Sequence, residues 1–169
     1  MVGLMGAGKT SIGRRLAARL GLPFVDADDE IEAAAGSSIE DIFDRLGEES
    51  FRDGERRVIA RLLDGPPIVL ATGGGAFMDV ETRERIAAKG ISVWLRANID
   101  TLVRRTSRRN DRPLLKNGEP REILIHLMEQ RYPIYQLADI VVDSFDAPAE
   151  GTLQHVLDAI EAYRVAEAT

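Results

Sequence analysis

The chain has 169 residues, 44% of them hydrophobic and 30% charged, which is long enough for one domain with a buried core. A formal net charge of −6 argues against broad nucleic-acid binding, because phosphate backbones require a surplus of Lys and Arg. No apolar run approaches the ~20 residues that cross a bilayer, and the absence of cysteine excludes disulfides and cysteine-ligated zinc. We expect a single cytoplasmic domain over residues 1–169, with no membrane or nucleic-acid partner.

The first motif, Gly3 to Ser11, has the pattern of a phosphate-binding loop: a glycine, four residues, then Gly8-Lys9-Thr10. Glycines let the backbone curl so that its N–H groups point at phosphate oxygens, and the next helix presents its positive N-terminal end. The Lys9 ammonium would reach the β- and γ-phosphates, and the Thr10 hydroxyl has the type and spacing of a Mg²⁺ ligand. The motif predicts nucleotide binding but not the reaction.

Two carboxylates follow at the end of a predicted strand. Apolar residues at helical spacing predict a helix after the loop, and residues 22–25 form a short apolar run that leads into Asp26. In an extended chain Asp26 and Asp28 lie on the same side. One would hold a magnesium-bound water, and the other would orient or deprotonate a hydroxyl acceptor. The alternative is that Asp28 or Asp29 only caps the next helix.

Glycines follow a second predicted strand. Helical patterns cover residues 38–46 and 48–63, and residues 68–71 form a continuous apolar run, typical of a strand buried on both faces. It leads into Gly73 to Gly75, which indicates either a ligand close to the backbone or an unusual turn. The later predicted elements are helices at 79–89, 98–103, 123–135 and 152–166 and strands at 91–95 and 140–142. This alternation predicts a parallel sheet covered by helices on both faces.

Arginine is concentrated in one segment of this acidic chain. Five of the nine residues 104–112 are arginine, which favours a small polyanion such as a nucleotide. We interpret the polar, turn-rich stretch at about 107–119 as a lid. Arg112 within it is a candidate for contact with the transferring phosphoryl group. Arg52 and Arg131 are candidates for gripping an anion with a planar guanidinium, and the alternative for each is a solvated surface arginine.

Taken together, these motifs resemble the shikimate kinase family. The matching segments are Gly3 to Thr10, Phe24 to Asp28, Phe51-Arg52 with Glu55, Thr72 to Gly75, Arg112 to Leu115, and Arg131-Tyr132 with Tyr135. Their ordered combination is specific, although any one of them is not. The resemblance implies a P-loop kinase fold similar to that of nucleoside monophosphate kinases, with five parallel strands and a lid. It also implies transfer of the γ-phosphoryl of ATP to the 3-hydroxyl of shikimate, a step toward chorismate and the aromatic amino acids.

The resemblance also implies a role for each matching residue. Mg²⁺ would be served by Thr10 directly and by Asp26 through water, and the catalytic residues would be Lys9, Asp28 and Arg112. The nucleotide, ATP, would be bound by Gly6, Ala7, Gly8, Lys9, Thr10 and Ser11, with Arg105 near the adenine. Shikimate would be bound mainly by a segment at about 28–56, and its contacts would be Asp28, Arg52, Gly73, Gly74, Gly75 and Arg131. A monomer is expected.

Two other functions stay open at this point. Another small-molecule kinase, such as a gluconate kinase, would share the loop and lid. It would have no reason for Arg52, the three glycines and Arg131 to converge on one carboxylate. A binding module that keeps the loop without catalysis would be expected to have lost Asp28 or Arg112, and both are present.

The start of the chain departs from the family pattern. The family places a central strand before the phosphate-binding loop, whereas only Met1 and Val2 precede Gly3. Without that strand its neighbours would lose hydrogen-bonding partners. We expect that the first strand is truncated here and that upstream residues complete it.

Overall fold

The computed structural model describes residues 1–108, 115 and 118–169, along which helices alternate with strands. The strands are β1 (Phe24–Asp26), β2 (Val69–Ala71), β3 (Val93–Arg96) and β4 (Ile140–Asp143). The α-helices are α1 (Lys9–Leu20), α2 (Ala27–Ala35), α3 (Ile39–Leu63), α4 (Val80–Lys89), α5 (Ile99–Ser107), α6 (Pro120–Tyr135) and α7 (Ala149–Glu167). A 3-10 helix spans Ala76–Met78. The alternation confirms the predicted α/β class.

The strands form two parallel pairs, β1 with β2 and β3 with β4. Parallel neighbours need a crossover connection, and α2 and α3 supply it between β1 and β2. Asp26 at the end of β1 is paired with Ala71 at the end of β2. The carboxyl ends of both strands therefore open toward the same edge, where the acidic and glycine-rich segments begin.

Met1 and Val2 lie between the two strand pairs. On one side the amide of Thr72 donates to the carbonyl of Met1 at 3.1 Å. On the other side the amide of Val2 donates to Val93 at 2.8 Å, and the amide of Leu95 donates to Val2 at 3.0 Å. These two residues occupy the central position through backbone hydrogen bonds, while the fifth strand of the expected sheet stays a prediction.

Both faces of β3 are covered. Val93, Trp94 and Leu95 are all buried, and successive strand side chains point to opposite faces. The Trp94 ring packs edge-on against Tyr132 of α6, with ring centroids 4.8 Å apart. Elsewhere α1 packs against β1, β2 and α7, and α7 packs against β4. Within the described ranges, no helix combines the length and apolar character needed to cross a bilayer.

Local chemistry fixes several helix boundaries. The side chains of Ser38, Asp79 and Asn98 each accept the backbone N–H three residues later, at 2.8 to 3.1 Å, and so cap α3, α4 and α5. Within α3, Gly47 has φ 82° and ψ 171°, which interrupts the helix between the two predicted helical stretches. A left-handed φ of this kind favours glycine.

Candidate active site

The phosphate-binding loop is shaped by glycine. Gly3, Gly6 and Gly8 have φ of 145°, 84° and 100°, values that other residues rarely adopt. A Cβ on Gly3 would also lie 2.7 Å from the carbonyl oxygen of Leu95, so no side chain fits there. Helix α1 begins at Lys9 without a side-chain cap. The first residues of this helix line the cavity, and their role as an anion site stays a prediction.

The Lys9 side chain lies across its own loop. Its Nζ donates to the carbonyls of Gly3 at 2.7 Å and Leu4 at 3.0 Å. These hydrogen bonds hold the ammonium beside the turn that the motif predicts to cradle phosphates. The contact of Lys9 with a phosphate stays a prediction.

Arg105 of α5 lies against the same loop. Its Nη1 donates to the carbonyls of Gly6 at 3.1 Å and Ala7 at 3.2 Å, and to the Ser144 hydroxyl at 3.0 Å. The Ser144 hydroxyl in turn donates to Ala7 at 2.9 Å. Partial burial lowers the pKa of Arg105 from its ordinary value. These contacts hold Arg105 against the phosphate-binding loop. A contact between Arg105 and the adenine stays a prediction.

Thr10 and Asp26 meet, as the magnesium hypothesis requires. The Thr10 hydroxyl donates to Asp26 Oδ2 at 3.1 Å. A hydroxyl and a carboxylate are ligands that Mg²⁺ accepts when nucleotide phosphates and waters complete its shell. Over the described residues, no cluster of three or more His, Cys, Asp or Glu forms an all-protein metal site. The pair fits a metal that arrives with a nucleotide.

Asp26 and Asp28 are arranged differently from the prediction. We expected both on one side of an extended chain, but the strand ends at Asp26 and α2 begins at Ala27. Asp26 itself caps α2, since its Oδ1 accepts the Asp28 amide at 2.9 Å. The extended-chain geometry was therefore wrong, and so was the alternative cap at Asp28 or Asp29. Asp28 reaches the cavity from the first turn of a helix.

Each of the three glycines faces a different charged group. A Cβ on Gly73 would lie 3.0 Å from Asp28 Oδ1, and one on Gly74 would lie 2.8 Å from Arg131 Nη1. A Cβ on Gly75 would lie 2.6 Å from Cζ of Arg52. Because glycine has no side chain, this turn leaves room for all three groups. The residues predicted to contact the acceptor, Asp28, Arg52 and Arg131, therefore converge on the Gly73–Gly75 turn.

These groups line one cavity of about 990 Å³ together with the phosphate-binding loop. The predicted residues found in its wall are Gly6, Gly8, Lys9, Thr10, Ser11, Asp26, Asp28, Arg52, Gly73, Gly74, Gly75, Arg105 and Arg131. Ala7 belongs to the loop but is buried and does not line the cavity. Arg112, with most of the predicted lid at 107–119, lies outside the described residues.

Glu55 is a cavity residue to which sequence reasoning gave no role. It is 3% exposed, and its Oε1 accepts from Arg52 Nη1 at 2.8 Å. Its Oε2 is buried without a hydrogen-bond partner among the described residues and faces Gly73. Burial raises the pKa of the Glu55 carboxyl, and the Arg52 guanidinium opposes that rise. The available signal was its position three residues after Arg52, on the same helix face.

The family model of shikimate kinase matches residues 5–161 of the chain. The chain belongs to the shikimate kinase family. This family member is 63% identical over 169 residues to the shikimate kinase of Paramagnetospirillum magneticum, covering 100% of this chain and 87% of that protein. It is 57% identical over 160 residues to that of Caulobacter vibrioides, covering 95% of this chain and 80% of that protein.

Solved structures agree with this assignment. Shikimate kinase from Acinetobacter baumannii in complex with shikimate superposes with a TM-score of 0.91 at 39% identity, covering 95% of this chain and 90% of that one. A gluconokinase from Sinorhizobium meliloti superposes with a TM-score of 0.63 at 19% identity, covering 99% and 93%. The second likeness shows a shared fold alone, so the comparisons favour the shikimate kinase family over the gluconate alternative.

Proposed function

We propose that the chain transfers the γ-phosphoryl of ATP to the 3-hydroxyl of shikimate, giving shikimate 3-phosphate and ADP on the route to chorismate and aromatic amino acids. The observation that carries the proposal is the convergence of Asp28, Arg52 and Arg131 on the Gly73–Gly75 turn, in the cavity that also contains the phosphate-binding loop. Family membership supports the same reaction.

The acceptor is anionic, and the two guanidiniums are its natural anchors. Arg52 and Arg131 would bind the shikimate carboxylate through planar donor forks. Asp28 would accept a hydrogen bond from a ring hydroxyl, and the bare backbone of the glycine turn admits the ring close to its N–H groups. Binding therefore fixes which hydroxyl faces the loop.

The nucleotide binds on the opposite wall. The backbone N–H groups of Gly6 and of Gly8 to Ser11, together with the Lys9 ammonium, would hold its phosphates, whereas the Ala7 amide donates to the carbonyl of Leu4. Mg²⁺ arriving with ATP would be held by Thr10 directly and Asp26 through water, and when bound it neutralises charge on the phosphate oxygens. Lys9 adds charge stabilisation where negative charge develops in the transition state.

Phosphoryl transfer then needs positioning and one proton acceptor. The 3-hydroxyl oxygen forms a bond to the γ-phosphorus as the bond from that phosphorus to the β,γ-bridging oxygen breaks. The hydroxyl proton passes to Asp28, which lies at the glycine turn. Arg112 is proposed as the lid arginine between donor and acceptor. That role rests on its motif, because the residue lies outside the described part of the chain.

The remaining assignments follow from composition and family. We propose a monomer whose partners are the two small substrates, as the family resemblance implies. A cytoplasmic location fits the absence of cysteine and the metabolic role.

A coupled ADP-release assay with magnesium tests the proposal. We expect ADP release that depends on shikimate, with a mass increase of one phosphoryl group on the product. Gluconate at the same concentration should give release no faster than the acceptor-free blank. Equal turnover of the two acceptors, or ADP release independent of either, would contradict the assignment.

A further inference from the structure

The Tyr135 side chain lies directly beneath the glycine turn. Tyr135 belongs to α6 and is fully buried. Its hydroxyl donates to the carbonyl of Gly74, 61 residues away along the chain. The C=O and N–H of a trans peptide point in opposite directions. Anchoring the Gly74 carbonyl on Tyr135 therefore also fixes the direction in which the N–H of Gly75 points.

The Arg131 guanidinium, one helical turn earlier in α6, lies close to the same glycine. A Cβ on Gly74 would lie 2.8 Å from Arg131 Nη1 and 3.5 Å from Tyr135 Oη. The hydroxyl gives its one proton to Gly74, so toward a guanidinium, which has donors only, its oxygen can act only as an acceptor. Burial raises the pKa of Tyr135 to about 12, so the hydroxyl keeps that proton. The hydroxyl and the arginine thus converge on Gly74.

The Tyr135 ring is itself held in place. It packs against Phe77, Trp94 and Tyr132, with ring centroids 6.4, 5.6 and 6.1 Å away. Aromatic contacts from several sides leave little freedom for the ring to move. A rigid hydroxyl is what a positioning role requires, because a mobile one would not transmit the fixed geometry of the core to the cavity wall.

We propose that Tyr135 is a positioning residue, whose hydroxyl holds the Gly74 carbonyl and the Arg131 guanidinium in the arrangement that binds the acceptor carboxylate and ring. The inference rests on the proposed function. Tyr135 acts through groups that bind the acceptor in the ground and transition states alike. Its loss therefore raises KM for shikimate and leaves kcat nearly unchanged.

The test is Tyr135→Phe, which keeps the ring and removes the hydroxyl. We expect KM for shikimate to rise about tenfold, while kcat and KM for ATP stay within about twofold, because the Gly74 carbonyl loses its hydrogen-bond donor and Arg131 loses the polar group beside it. Tyr132→Phe is the matched control. It lies in the same helix and aromatic cluster, and its hydroxyl donates to the carbonyl of Ala97 at 2.6 Å rather than to the turn.

Thermal unfolding of both variants separates positioning from stability. Each loses one hydroxyl that donates to a backbone carbonyl, so we expect comparable decreases in melting temperature but a KM change only for Tyr135→Phe. A second variant pair places Tyr135→Phe in an Arg131→Ala background, where its effect on KM should shrink because the hydroxyl acts partly through that arginine.

Two results would overturn the inference. One is an unchanged KM for shikimate in Tyr135→Phe, and the other is an equal rise in Tyr132→Phe. A wild-type protein that does not turn over shikimate at all would instead overturn the proposed function, and the inference with it.

Discussion

The two walls of the cavity are built in different ways. The nucleotide side is centred on one continuous segment, Gly3 to Ser11, with Arg105 of α5 against it, whereas the acceptor side is assembled from residues distributed over α2, α3, the glycine turn and α6. On the nucleotide side, Lys9 and Arg105 donate to backbone carbonyls of the loop. On the acceptor side, Arg52 donates to the buried carboxylate of Glu55.

This difference determines what a mutation disturbs. The nucleotide side depends on backbone conformations that three glycines set locally. The acceptor side depends on tertiary packing and on an ion pair whose carboxylate, that of Glu55, is buried, so that removing Arg52 leaves a buried charge uncompensated. We therefore expect substitutions that break this ion pair to alter shikimate affinity and stability together while ATP binding persists.

The largest effect should come from Asp28→Asn. Loss of the proton acceptor should lower kcat by about 10²- to 10⁴-fold, as for other general bases. Nucleotide affinity, measured by calorimetry, should stay within about twofold if the two sides are independent. Glu30→Gln is the control, since Glu30 pairs with Arg61 outside the cavity, and it should be fully active. Loss of ATP binding in Asp28→Asn would break the separation of the two sides.

The next effect concerns the Arg52–Glu55 pair. Arg52→Ala should lower the free energy of unfolding by about 3 kcal/mol, because it leaves the Glu55 carboxyl buried without its cation. It should also raise KM for shikimate at least about tenfold. The double variant Arg52→Ala/Glu55→Gln should recover stability in urea unfolding but not affinity. Equal stability of the single and double variants would show that Arg52 does not hold Glu55.

A smaller effect is expected at the glycine turn. Gly75 has φ −88° and ψ −11°, which alanine adopts without strain, but the new Cβ would displace the Arg52 guanidinium. Gly75→Ala should therefore raise KM for shikimate about tenfold, equivalent to ~1.4 kcal/mol, with little change in stability.

Gly54→Ala is the matched control for the glycine turn. It lies within α3, and a Cβ there meets nothing within 4 Å. It should stabilise the protein by up to about 1 kcal/mol without changing KM. A rise in KM at Gly54, or none at Gly75, would contradict the account of the turn.

The fold could be predicted where local chemistry decides it. The helical patterns predicted from residues 38, 79 and 98 begin at residues that cap the helices, because a cap is completed within three residues of chain. The end of β1 was harder to predict. Asp26 can continue a strand or cap a helix, and the sequence pattern alone does not choose between them. That ambiguity is why Asp28 was expected in an extended segment.

In the site, too, the features set by adjacent residues were predictable and those set by distant residues were harder to predict. The phosphate-binding loop is readable from adjacent residues, whereas the acceptor side was recognised by resemblance of dispersed motifs. Glu55 and Tyr135 belong to those motifs, but the sequence assigned neither of them a role. Their partners are a guanidinium in the same helix and a glycine carbonyl 61 residues away, and only the folded chain brings the second pair together.

Asp79 lies on neither wall of the cavity, so its substitution should change stability without changing substrate binding. Its carboxylate caps α4 and pairs with Arg56 at 3.1 Å. Burial acts to raise the pKa of Asp79, but hydrogen bonds from Arg56 and Thr82 outweigh it and lower the pKa below its ordinary value. Asp79→Ala should cost about 1 kcal/mol of stability near neutral pH, with KM for both substrates unchanged.

The pH dependence of this loss has a definite sign. A carboxyl whose pKa is lowered by folding stabilises the protein above its unfolded pKa of about 3.9 and loses that contribution as the pH falls. The stability difference between wild type and Asp79→Ala, measured by urea unfolding, should therefore shrink as the pH falls below ~4. Asp79→Asn keeps a capping side chain and should show a smaller loss near neutral pH, since only the partly exposed ion pair with Arg56 is removed. A difference that is constant with pH would show that the cap, rather than the charge, accounts for the whole effect.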